Sequence, residues 1–398
     1  MKTYLALVPT VLLTCSVIAA PPLPEQLQLR ATFNLGEDLG TPNSMFNPVY
    51  ANGQVFVSQI NNSAQGIGIY TSGSETPVLV LNNLGVIEHR MVQPFRGALS
   101  STYLIASGGA TPGTTTTFSR YNFDGSGRVD AQAPGGVTAE GFDWVDDTTI
   151  IYTSYASGTR TRLYLAQVTP EPFALTADTR WNANGYFNTG AGVRIRNVRM
   201  GDLYSGYAYY GDAGQNTNPK FFALDVATGT ETLLGNAGTL TGTGSYGIWT
   251  VIERGGYLYV QTTDNGIQVY TMTSATQIGE LYATYTKTQI TDAAGQVSAQ
   301  FFGLDVTPDG SRFVLGAATG RVFEFGAPQM RLVPGAGFAT VSWPSTVTAI
   351  AVQEASTLGS FTDMNPQPSF YVSGKENVAD ILLNTEAGAT FFRLRKTP

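Results

Sequence analysis

A single histidine, His89, follows Glu88 in the chain, and it bounds the chemistry on offer. A Ser-His-Asp arrangement would have to use that one imidazole, and no Gly-x-Ser-x-Gly elbow accompanies it. Sites built on several histidines are excluded. The only cysteine, Cys15, sits in the N-terminal leader, which removes thiolate catalysis and cysteine-ligated metal from the mature chain. What remains is a set of acids, an arginine and aromatics in recurring places. Glu140, Tyr246 and Phe302 each stand directly before a glycine, at Gly141, Gly247 and Gly303. Phe46 and Glu88 take the equivalent place in two further segments, with His89 beside Glu88 at the same expected channel mouth, and Arg196 in another. Such a mixed ring can hold a sugar or a small polar molecule, because carboxylates accept from hydroxyls, a guanidinium donates, and aromatic faces stack on apolar faces. The plainer reading is that the same side chains solvate or plug a channel. If Glu88 and Glu140 are neighbours, their repulsion favours a cation, a protonated acid or a hydroxyl-rich donor. Glu140→Gln would then hardly change stability.

Two other stretches carry possible chemistry. NFDGSGRVD at 122–130 puts Asn122, Asp124 and Ser126 at alternate positions, as a calcium loop does, but Ala133 stands where the bidentate acid belongs. DGSG between Tyr121 and Val129 is also a good hairpin turn, and that reading is preferred. No cofactor is expected, Ca²⁺ being the one with any support. YSGYAYYGD at 204–212 offers alternating tyrosines, either a sugar-stacking platform or, preferred, an ordinary strand with Tyr on both faces.

The elements that must position these residues are strands. LDVTPDGSRFVLGAATGRVFEF, from 304 to 325, reads as strand, turn, strand, turn, strand: Pro-Asp-Gly suits a tight turn, and Arg321 to Phe325 alternates. The pattern returns from Gly141, from Tyr246 and from Phe46, with weaker copies near Glu88 and Arg194. First strands therefore begin near 46, 88, 141, 194, 246 and 301, at spacings of 42 to 55 residues, the range of propeller blades. The sixth copy has only three strands before Pro328. LQLRATFNLG at 27–36 supplies a strand at the other end of the chain, and it is expected to complete the sixth blade and close the ring, since an open ring leaves unpaired edges. The expected fold is all-β: a six-bladed β-propeller over 26–327, with seven blades the alternative, followed by a small β-sandwich over 328–398.

PDGSRFVLG with TGRVFEF resembles the blade repeat of the YVTN, lactonase-like and Tol-Pal-associated propellers of secreted bacterial proteins. FFALDVATGTETLL looks like one blade of a quinoprotein-type propeller. Each resemblance covers one blade, so it implies fold more than activity. From Gln329 onward, the strand closing in Trp343-Pro344, the segment Gln353 to Leu358 and FFRLR near the end resemble a fibronectin type III-like module. That resemblance implies an accessory or attachment role.

Residues 1–20 read as a secretory signal peptide: Lys2, an apolar run from Tyr4 to Leu13, then Ala19 and Ala20 before Pro21. The run is short for a membrane span of ~20 residues, and Thr14 before Cys15 does not suit lipidation. No other segment is long and apolar enough to cross a bilayer, so none is expected in the mature chain. Charged residues are 13% of 398, about half the usual ~25%, and the net charge of -7 disfavours nucleic acid. The preferred reading is an exported monomer, periplasmic or at the cell surface or secreted, that binds a carbohydrate, a small polar ligand or a protein without catalysis. The alternative is an extracytoplasmic propeller lyase or hydrolase acting on carbohydrate or a lactone.

Overall fold

The computed structural model describes residues 21–396 apart from 23, 25–26, 40–44, 60–65, 82–88, 109–117, 155–157, 184, 215–216, 239–246, 263–265, 296–299, 327–330, 335–337, 345–349, 356–361, 366, 374–375 and 383–390. The expected leader, residues 1–20, lies outside the described residues.

Six antiparallel sheets make the propeller. After β1 (Gln28–Phe33), blade 1 runs β2 (Met45–Ala51), β3 (Gln54–Gln59), β4 (Ile67–Thr71), β5 (Pro77–Leu81). Blade 2 is β6 (Met91–Pro94), β7 (Tyr103–Ser107), β8 (Phe118–Asn122), β9 (Val129–Ala131). Blade 3 is β10 (Ala139–Trp144), β11 (Thr149–Ser154), β12 (Arg162–Thr169), β13 (Ala174–Ala177), with β14 (Tyr186–Asn188) also on β12. Blade 4 is β15 (Val198–Met200), β16 (Tyr207–Gly211), β17 (Lys220–Asp225), β18 (Thr230–Asn236). Blade 5 is β19 (Ile248–Arg254), β20 (Tyr257–Thr262), β21 (Gly266–Ser274), β22 (Gln277–Tyr285). Blade 6 is β23 (Phe301–Val306), β24 (Arg312–Ala317), β25 (Val322–Gly326). Its fourth, outer strand is β1, which pairs antiparallel with β25 from Gln28 opposite Gly326 to Phe33 opposite Val322. The chain ends of the propeller thus close one blade, as the strand count requires. The first strands touch around the ring, β2 on β6, β6 on β10, β10 on β15, β15 on β19, β19 on β23 and β23 on β2, so they are the inner strands.

Apolar side chains of neighbouring blades interlock. Phe118 of β8 meets Phe142 of β10 and Tyr152 of β11 edge-on, at 5.3 and 5.4 Å between ring centres, the geometry that aromatic quadrupoles favour. Tight hairpins hold the blades in register. Asn52-Gly53, between β2 and β3, takes positive φ at both residues, the primed turn that matches strand twist.

Four inner strands carry one extra residue near their start, between Phe46 and Val49, Ala139 and Phe142, Ile248 and Thr250, and Phe301 and Leu304. Such bulges re-aim side chains. The glycine of two of them is required. A Cβ on Gly303, at φ +86°, would lie 2.5 Å from Asn47 N, and one on Gly141 would lie 2.4 Å from Asn197 Oδ1.

After the propeller come β26 (Arg331–Pro334), β27 (Phe338–Pro344), β28 (Ile350–Ala355), β29 (Thr362–Asp363), β30 (Tyr371–Ser373), β31 (Glu376–Leu382) and β32 (Phe391–Lys396), in two sheets ordered β26-β27-β31-β30 and β29-β28-β32. Among the described residues, no helix is long and apolar enough to cross a membrane.

Candidate functional site: the charged core of the ring

The bulges deliver side chains to the end of the ring where the inner strands begin. In β10 the bulge presents Glu140, 1% exposed. Three guanidiniums surround it. Arg194 Nη2 donates to both carboxylate oxygens, at 2.8 and 2.7 Å, and Arg196 Nη1 to Oε1 at 2.7 Å; Arg90 Nη1 lies 3.4 Å from Oε1. Burial alone would push the Glu140 pKa up, but Arg196, Arg194 and Arg90 outweigh it and hold the carboxyl below its ordinary range. Arg196 also lies over the Trp249 ring, 4.6 Å from its centre, a cation–π contact. Trp249 occupies the bulge of β19, donates from Nε1 to Asn47 Oδ1 at 3.0 Å, and packs against Phe302 at 4.9 Å between ring centres. Asn47 in turn donates to the Arg90 carbonyl at 3.2 Å. One connected set, Glu140–Arg196–Trp249–Phe302, therefore spans blades 3 to 6.

A second layer lies further along the inner strands. Asp143 and Asp305 each accept from the next residue's backbone N–H and from the backbone of the neighbouring inner strand, Met200 N at 2.9 Å and Tyr50 N at 2.7 Å. Arg199 of β15, 2% exposed, reaches from one to the other: Nε is 3.3 Å from Asp143 Oδ2, and Nη2 donates to Asp305 Oδ2 at 2.7 Å. Arg254 adds a contact to Asp305 at 3.5 Å. Blades 3, 4, 5 and 6 are tied together across the ring by these charges.

Of the residues singled out from the sequence, Glu140, Arg196 and Phe302 are brought together. Phe46 lies on β2 at its bulge. Glu88 and Tyr246 lie outside the described residues. His89 is not beside Glu140. It is buried in blade 2, where its Nε2 meets Tyr121 Oη at 2.9 Å. Three arginines surround Glu140, so stability is expected to depend on its charge; the second carboxylate expected beside it, Glu88, lies outside the described residues. Sequence reasoning missed Arg90, Arg194 and Trp249. The paired Arg194 and Arg196 were a usable signal, since both reach Glu140. Trp249 was missed because the repeats align on Gly247; Gly247 bridges to Ala213, and the extra residue of β19 falls at 249.

The stretch 122–130 runs through the β8–β9 hairpin, and Tyr207 to Gly211 lie on β16. Asp124 Oδ1 accepts from Ser126 N and Oγ, at 2.9 and 2.7 Å, inside the β8–β9 hairpin. Tyr209 and Tyr210 of β16 are both fully buried, with Tyr210 Oη donating to Glu231.

His89 makes stability depend on pH. Burial, helped by Arg128, lowers its pKa from 6.5 to about 3. The unfolded chain then binds the extra proton between these values, so its contribution is fully present above 6.5 and is lost as pH falls toward 3, by about 1.4 kcal/mol per unit. Denaturant unfolding of the wild type is expected to show this slope between roughly pH 6 and 5, a range above the midpoints of ordinary carboxylates. His89→Gln is expected to flatten it. A wild-type stability that stays level over that range would contradict the buried neutral imidazole.

Compared with protein-family models and with curated proteins, the chain matches none of them.

Proposed function

We propose that this is an exported binding or scaffold protein whose propeller presents a polar site to a carbohydrate, a small polar ligand or a protein, with no reaction at that site. The observation that supports this reading is the state of the acids at the ring centre. Glu140 is enclosed by three guanidiniums, while Asp143 and Asp305 are held by backbone N–H groups and Arg199. A general acid needs a proton near the working pH, and a general base needs an open lone pair. Glu140 is held ionised and saturated with donors, so it fills neither role. A ring of fixed charges backed by Trp249 and Phe302 suits recognition instead, because its groups are positioned before any ligand arrives.

In this reading residues 1–20 direct export, and the strands from 328 onward act as a fibronectin type III-like module that attaches or spaces the propeller. The resemblance of its blades to those of secreted bacterial propellers supports an extracytoplasmic location. The test is an array of glycans, small polar metabolites and extracellular proteins on the mature chain. Saturable binding to one chemical class is the expected result. An empty array, with binding to no class, would overturn the reading.

A further inference from the structure

The opposite end of the ring, where the inner strands finish, holds a cavity of about 310 Å³. Its wall is drawn from blades 1 to 5, and includes Tyr50, Gln93, Arg96, Ser100, Asp143 and Arg199. We propose that this cavity is a binding site for a small hydroxylated monocarboxylate, a sugar acid in size and kind, seated on Arg199. The proposal rests on the reading of the propeller as a binding body, and it adds a site at the other end of the ring from Glu140, with its own ligand class.

Arg199 carries the argument. Its side chain is 2% exposed, and two of its nitrogens face Asp143 and Asp305. Its third, Nη1, is buried and has no hydrogen-bond acceptor among the described residues, and Nε, though 3.3 Å from Asp143 Oδ2, makes no hydrogen bond to it either. A buried guanidinium N–H without an acceptor is costly, by about 1–3 kcal/mol or more for a charged group. A carboxylate oxygen is the acceptor that a guanidinium binds most strongly. The charges around it limit the ligand's own. Asp143 and Asp305 are matched inside by Arg199 and Arg254. Arg96 stands exposed on the rim and forms no ion pair with a described residue. The Asp147 carboxylate lies against Gly97 on the same rim. A monoanion gains Arg199 and Arg96, whereas a dianion such as phosphate also meets Asp143 and Asp147 at close quarters. Gln93 and Ser100 line the wall and supply partners for hydroxyls. The volume lies at the low end of the roughly 300–1,000 Å³ of ligand pockets, which suits a monosaccharide-sized molecule.

Calorimetric titration of the mature full chain tests this, with glucuronate and galacturonate, the neutral sugars glucose and galactose, and inorganic phosphate as probes. The uronates are expected to bind with Kd below about 1 mM, and the neutral sugars and phosphate at least roughly tenfold more weakly. Ser100→Trp, which fills the cavity from a half-buried position, is expected to abolish uronate binding, and Arg96→Ala to weaken it several-fold. Arg199→Lys is expected to weaken it by roughly tenfold or more; where that variant fails to unfold cooperatively, Ser100→Trp carries the test. Neutral sugars or phosphate binding as tightly as the uronates would overturn the ligand class. Uronate binding that survives Ser100→Trp would overturn the site while leaving the binding reading in place. No saturable binding to any probe would overturn the proposal as a channel end filled by water alone. The wider array then decides the binding reading separately.

Discussion

Replacing Glu140 by glutamine is expected to lower folding stability by about 3–5 kcal/mol, the usual cost of removing one partner from a buried ion pair. The change keeps the shape of the side chain and takes away its charge. Arg90, Arg194 and Arg196, with side chains 6, 10 and 12% exposed, then lose the carboxylate they share. They cannot recover its value from water without opening the ring. The mutation also frees Arg196 to leave the face of Trp249, and through Trp249 it loosens Asn47 and Phe302. Urea unfolding followed by tryptophan fluorescence reads both effects. A loss smaller than about 0.5 kcal/mol, the range of ordinary surface substitutions, would mean that the arginines do not depend on this carboxylate.

Removal of residues 21–36 is expected to have the larger effect, loss of a cooperatively folded propeller. The deletion strips β1 from β25 and leaves blade 6 with an unpaired outer edge, the kind of edge that recruits other chains. It also empties the sites of Ala31, Phe33 and Leu35, all at 1% exposure or less. Further upstream, Tyr282 Oη donates to the Pro21 carbonyl at 3.1 Å, and Tyr285 Oη donates to that of Pro22. Blade 5 therefore holds the same terminus. The point variant Phe33→Ala isolates the packing part, at about 3–5 kcal/mol. Deleting residues 328–398 is expected to leave the propeller folded, because β25 ends at Gly326. Limited proteolysis and thermal unfolding of the two truncations check the pair. A harmless N-terminal deletion combined with a C-terminal deletion that unfolds the chain would reverse the division into domains.

Most of the architecture could be read from the chain because it rests on local signals. Alternation between turn residues marks a strand wherever it falls, and a sixth repeat one strand short plus one leftover N-terminal strand pointed to a ring closed by the two chain ends. The first strands of blades 2 and 4 start at Met91 and Val198, a few residues beyond the expected places near Glu88 and Arg194. Both strands are short, and before the second of them Arg194 and Arg196 are polar side chains that look strand-like only because they alternate with apolar ones.

The candidate site was legible in part for the opposite reason. A bulge adds one residue without changing composition, so alignment on glycines found Glu140 and Phe302 and slipped at Trp249. Ion pairing leaves even less trace. Arg194 and Glu140 are 54 positions apart and Arg199 and Asp305 106 apart. Nothing in the local sequence of either residue states which charge it meets across the ring. His89, next to Glu88 in the chain, was expected at the channel mouth, yet its ring is buried in blade 2 against Tyr121.

The fate of the bound molecule tests the central claim most directly. The mature protein is incubated to saturation with the ligand that the array identifies, at neutral pH for many hours, and the ligand is recovered and weighed by mass spectrometry. The account predicts that it comes back intact and stoichiometric, because the acids at the ring centre are committed to arginines and backbone N–H groups. Recovery of a cleaved, opened or eliminated product, lost again in Glu140→Gln at unchanged affinity, would contradict it and make this charged ring an active site.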